Sequence, residues 1–89
     1  MVKILFTANI QRHVECPETD ADGATLGEVL DNAFKENARA RAYVLDDQAA
    51  LRKHMTIFVD GRALRDRVRL SDPVAPSSVV YVFQALSGG

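Results

Sequence analysis

The sequence has one cysteine, Cys16, and two histidines, His13 and His54, in 89 residues. A single thiol cannot form an internal disulfide. It also cannot hold an iron–sulfur cluster or a cysteine-rich zinc knuckle, which need several thiolates. Any metal site would have to lean on carboxylates, and none is expected. No run of about 20 apolar residues exists, so no membrane-spanning helix and no membrane partner are expected. The opening MVKILFTANIQ lacks the long apolar stretch and small-residue cleavage site of a secretory signal. A reducing cytoplasm is the expected location. Neither sign of charge dominates, since 11 basic and 12 acidic side chains leave −1. No global field therefore attracts nucleic acid.

Catalytic patterns are missing too. No Ser-His-Asp or Cys-His pair sits on motif spacing. There is no Gly-x-Gly-x-x-Gly or Walker loop, and Gly23 and Gly27 are isolated. Cys16 lies in an expected strand and reads as an inert, buried thiol. His13 and His54 read as surface residues, because their separation fits no local metal motif.

What is present is an ordinary globular composition, 47% hydrophobic and 26% charged. That excludes wholesale disorder, and the length implies one domain with one core. Charge is distributed unevenly. Residues 1–37 carry three basic and seven acidic groups, residues 38–69 eight and four, and the last twenty only Asp72.

Val2–Thr7 is a nearly continuous apolar run and reads as a strand buried on both faces. Ala8–Gln11 reads as a turn. Arg12–Cys16 alternates and reads as an edge strand stopped by Pro17, with an acidic loop over residues 17–24. Thr25 and Glu28 fit a capping box. Leu26, Val29, Leu30, Ala33 and Phe34 then form one apolar stripe, predicting a helix that ends near Asn37. Residues 38–53 stay open: Tyr43–Leu45 fits a short strand or a helical turn, and Ala49–Lys53 fits a small helix.

His54–Val59 reads as a strand, with Asp60-Gly61 supplying a primed hairpin turn and Arg62–Leu64 the return. After Asp72-Pro73 and Pro76–Ser78, a second apolar β run extends to Leu86. The first and last strands, the most hydrophobic, should pair at the sheet centre with the helix on one face. This predicts an α+β roll with a mixed four- to five-stranded sheet on one main helix. Residues 1–84 would be the domain and residues 85–89 a flexible tail.

Two surfaces are candidates for contact. Either Ile57 or Phe58 must point away from the helix. The outward one is a docking spot, or is covered by residues 38–53. Arg62, Arg65, Arg67 and Arg69, with Arg52 and Lys53, form either a solvated edge that blocks aggregation or a face for an acidic partner. The chain closes on Gly88-Gly89, an end that two average glycine frequencies of about 7% make uncommon.

Taken together, these residues resemble the ubiquitin-like β-grasp sulfur carriers of the ThiS/MoaD type. The resemblance spans essentially the whole chain. It rests on Val2–Thr7, the helix start Ala24–Leu30, the hairpin Met55–Gly61, the loop Leu70–Val74, the strand Val79–Phe83 and the Gly88-Gly89 end.

It implies a protein substrate and not an enzyme. A ubiquitin-activating-type partner would adenylate the Gly89 carboxylate with ATP, and a sulfur donor would convert the adduct to a thiocarboxylate. The sulfur would then pass to an acceptor synthase for molybdopterin, thiamine or cysteine formation. Leu86, Ser87 and Gly88 would thread the partner's active site, and Phe58, Ile57, Arg62 and Arg65 would dock it. The carrier would bind no cofactor of its own. Gln84–Ser87 lacks the proline often found before the glycines of molybdopterin synthase small subunits. Residues 38–53 are longer than in compact thiamine-type carriers, and Leu51–His54 looks more like carriers for cysteine biosynthesis or accessory sulfur pathways. Two other readings stand beside this one: a ubiquitin-like modifier joined through Gly89 to lysines, and a β-grasp interaction module with incidental glycines.

Overall fold

The computed structural model describes residues 1–84. Its elements run β1 (Val2–Phe6), α1 (Ala8–Gln11), β2 (Thr19–Ala21), α2 (Leu26–Ala33), α3 (Ala38–Val44), β3 (Met55–Val59), β4 (Arg62–Ala63) and β5 (Val79–Gln84). One mixed sheet holds all five strands in the order β2-β1-β5-β3-β4. The two apolar strands pair as expected. β1 and β5 are parallel, with Ile4 opposite Val80 and Phe6 opposite Val82.

The helices cover one face of this sheet. Ile4, Val80, Val82, Met55 and Ile57 point into the core and meet Leu26, Val29, Leu30 and Phe34 of α2 and its cap. The capping box forms: Thr25 Oγ1 accepts from the Glu28 amide at 3.3 Å, and Glu28 Oε1 accepts from the Ala24 amide at 3.0 Å. Leu26 and Gly27 donate their amides to the carbonyls of Asp72 and Leu70, both at 2.8 Å. The first turn of α2 is thus fully used and leaves no seat for an anion.

Several local expectations are corrected. Ala8–Gln11 is a turn of helix, because Ile10 must reach the core where it is fully buried. Residues 12–16 are irregular, and their amides at His13 and Val14 extend the α1 turn onto the Ile10 carbonyl. The edge strand is instead Thr19–Ala21, antiparallel to β1, with Asp20 opposite Lys3 and small Ala21 facing inward. A five-residue alternation could not outweigh that pairing.

The helical layer is also larger than one helix. α2 stops at Ala33, and Asn37 begins α3, its side chain accepting from the Ala40 amide at 3.2 Å. α3 takes up Tyr43 and Val44, while Leu45 bridges to Leu51 and both join the core. Ala49–Lys53 is not helical.

The Asp60-Gly61 turn forms as expected, with φ of 52° and 83°. Asp60 also ties the hairpin to β5. Its carboxylate accepts from the Val79 amide at 2.9 Å and the Ser78 hydroxyl at 2.7 Å. These bonds hold its pKa below the usual range.

Candidate functional site

β1 and β5 are apolar on both faces in sequence, yet the helices cover only one. Val79 and Tyr81 remain 40% and 42% exposed. Register decides what shares that outer face, since paired residues on neighbouring strands point the same way. Phe58 lies opposite Tyr81 and Ala63, Thr56 opposite Phe83, and Leu5 beside Tyr81. Three aromatic rings gather there. Phe58 and Phe83 have centroids 5.1 Å apart, and Tyr81 meets Phe83 edge-on at 5.5 Å. With Val79, Gly61 and Thr7 they line an open groove of about 740 Å³. The Thr7 hydroxyl is buried beside it and has no hydrogen-bond partner. Residues 38–53 do not cover this face, because Val44, Leu45 and Leu51 are spent in the core.

The expected docking group is therefore divided. Phe58 sits in the outer face. Ile57, its neighbour, is fully buried and offers no surface. Arg62 is paired with Val59 and so projects from the opposite side of the sheet to Phe58. Arg62 and Arg65 line a separate groove of about 510 Å³ with Asp72 and Pro73.

The basic face also thins. Arg67 turns inward and donates to the carbonyls of Arg52 at 2.9 Å and Met55 at 2.7 Å. It closes the backbone beside β3 and is not a free cation. Val79, Tyr81 and Phe83 were not singled out from sequence. The available signal was the alternation Val79-Tyr81-Phe83 within the last strand.

No other part of the described surface offers chemistry. A larger polar cleft of about 810 Å³ passes His13, Cys16 and Arg39. Burial pushes the Cys16 thiol up, which makes it a poor nucleophile at neutral pH. Among the described residues no group of three or more His, Cys, Asp or Glu is placed to hold a metal. No helix among them is long and apolar enough to cross a membrane. Leu86, Ser87, Gly88 and Gly89 lie outside the described residues.

An exposed aromatic sheet face of this kind marks a contact surface. The sequence matches the ThiS family over residues 4–89. The chain belongs to the ThiS family.

A search of curated proteins finds no match. Among solved structures, a chain of the Amycolatopsis orientalis BexX/CysO complex superposes with a TM-score of 0.82 at 20% identity, covering 100% of both chains. Mycobacterium tuberculosis CysO gives 0.78 at 19% identity, covering 97% of this chain and 100% of that one. Small archaeal modifier protein 1 from Methanosarcina acetivorans gives 0.79 at 20% identity, covering 99% and 95%. These likenesses fix the fold as ubiquitin-like β-grasp. This ThiS-family chain thus shares its fold with CysO and with small archaeal modifier protein 1.

Proposed function

We propose that this chain is a cytoplasmic sulfur carrier whose reacting group is the carboxylate of Gly89. What supports this most is the ThiS-family match running through Gly88-Gly89 to residue 89. A carboxylate is a poor electrophile, because its charge is delocalised and its oxygens leave badly. A ubiquitin-activating-type partner transfers AMP from ATP to the Gly89 carboxylate and releases pyrophosphate. Sulfide then attacks the acyl carbon, AMP leaves, and a thiocarboxylate remains. Its nucleophilic sulfur passes to an acceptor synthase for a molybdopterin, thiazole or cysteine precursor.

The chain's own contributions are docking and reach. Phe58, Val79, Tyr81 and Phe83 form an apolar face on which the activating partner binds. Residues 85–89 act as the tail, spanning at most about 17 Å beyond Gln84. Leu86 and Ser87 lead Gly88 and Gly89, which lack a Cβ, into a narrow channel. Threading the tail costs entropy, and burial of the aromatic face offsets it.

The test is fragment mass spectrometry after incubation with a candidate adenylating enzyme, ATP and a sulfide source. Exchange of one oxygen for sulfur at Gly89 is expected. Lysine-linked conjugates in its place would assign the chain as a modifier. An unmodified Gly89 with every such enzyme would favour an interaction module.

A further inference from the structure

Three segments distant in sequence converge on the C-terminal end of β5. Tyr43 of α3 donates its hydroxyl to Gln84 Oε1 at 2.8 Å, across 41 residues of chain. His13, from the turn after α1, stacks on the Tyr43 ring at 5.8 Å and 19°. His54, just before β3, meets the same ring edge-on at 6.3 Å and 84°. Packing alone does not ask for this arrangement. Tyr43 is partly buried against the core, where a phenylalanine ring would fill the same space, and both histidines are exposed. What the hydroxyl adds is a polar tie to Gln84, the residue from which the chain continues to Gly89.

We infer that Tyr43 is a positioning residue for activation of Gly89: bracketed by His13 and His54, it holds Gln84, the last described residue before the Gly88-Gly89 end. The inference rests on the carrier reading. Five residues span at most about 17 Å, so a swing of about 20° at Gln84 displaces Gly89 by up to about 6 Å. Fixing the pivot removes part of the disorder that threading must overcome. The docking face is separate from this cluster, since Phe58, Tyr81 and Phe83 lie on the outer side of the sheet and α3 on the inner side. Loss of the tie should therefore slow the step after docking and leave docking intact.

The experiment compares the wild type, Tyr43→Phe, Gln84→Met and Gln84→Glu as full chains. Amide order parameters by NMR are read at Gln84, Ala85 and Leu86. Adenylation kinetics are read with the activating enzyme.

Tyr43→Phe and Gln84→Met should lower the order parameters and reduce kcat about tenfold, with KM unchanged. Gln84→Glu keeps an acceptor for the tyrosine hydroxyl and should retain wild-type values of both. Unchanged order parameters in Tyr43→Phe would overturn the inference whatever the activity. A raised KM at constant kcat would also overturn it, by placing Tyr43 in the docking surface. If the order parameters fall but no activating enzyme modifies even the wild type, the tie stands and the carrier reading fails.

Discussion

Ile57 and Phe58 are adjacent, similar in hydrophobicity, and opposite in role. The strand alternation makes one of them core, and the register assigns which. Ile57→Ala should lower unfolding stability by about 2–5 kcal/mol, because it opens a cavity between α2 and the sheet. Denaturant unfolding measures this, and partner affinity per folded molecule should not change. Tyr81→Ala is the converse. Its side chain is 42% exposed and meets Phe83 edge-on. Stability should change little, while the dissociation constant for the activating partner rises tenfold or more, on the order of 2 kcal/mol for a central aromatic contact. Calorimetric titration reads it, and an unchanged affinity would remove the outer face from the docking surface. The sequence could say that one residue of the pair faced outward. It could not say which, because that depends on where α2 lands. Tyr81 and Phe83 were hidden for a related reason: an apolar run looks the same whether one face or both are covered.

At the scale of elements, the readable parts were those whose signals are local. Thr25 and Glu28 set the start of α2, and Asp60-Gly61 the hairpin, because cap and turn chemistry act within a few residues. β2 was not legible and α3 stayed open, because their stability comes from distant partners. Asp20 has poor strand propensity until Lys3 lies opposite it, and Asn37 looks like a helix end until Ala40 takes its side chain.

The loop between β4 and β5 is held by carboxylates in the same way. Asp66 accepts from the Ser71 hydroxyl at 2.5 Å and from the amides of Arg69 at 2.9 Å and Val68 at 3.1 Å. The Ser71 hydroxyl, followed by the Arg69 amide, lowers its pKa from 3.8 to about 2. A carboxyl lowered on folding stabilises the native state above its unfolded pKa. That contribution should be complete above pH 4 and fade as the pH falls toward 2. Thermal melts across this window should show the midpoint of the wild type converging on that of Asp66→Asn, which is lower at neutral pH. Parallel curves would mean that Asp66 carries no linked proton. The close fit around α2 gives a sharper test. A Cβ on Gly23 would lie 2.7 Å from the Val29 amide nitrogen, so Gly23→Ala must shift backbone, whereas on Gly27 the nearest atom is 3.3 Å away. Gly23→Ala should lower the melting temperature more than Gly27→Ala.

For the molecule as a whole, the parallel pairing of β1 and β5 sets the start of β1 apart from the end of β5. Lys3 lies opposite Val79, at the start of β5, while Gln84 stands at the other end of the strand. The five strand rises from Val79 to Gln84, about 3.3 Å each, place Lys3 on the order of 17 Å from Gln84. An addition before Met1 therefore starts at the far end of the strand from Gln84. On the proposed carrier reading, an addition after Gly89 moves the reacting carboxylate itself and leaves a peptide bond in its place. Among the described residues the core runs from Val2 to Val82. One alanine added after Gly89 should abolish adenylation, by at least about a hundredfold, with no change in melting temperature. The same residue added before Met1 should leave the rate within about twofold. Mass spectrometry of the acyl product on both extended chains decides the matter. Equal activity would detach function from Gly89 and leave the aromatic face as the working surface of the protein.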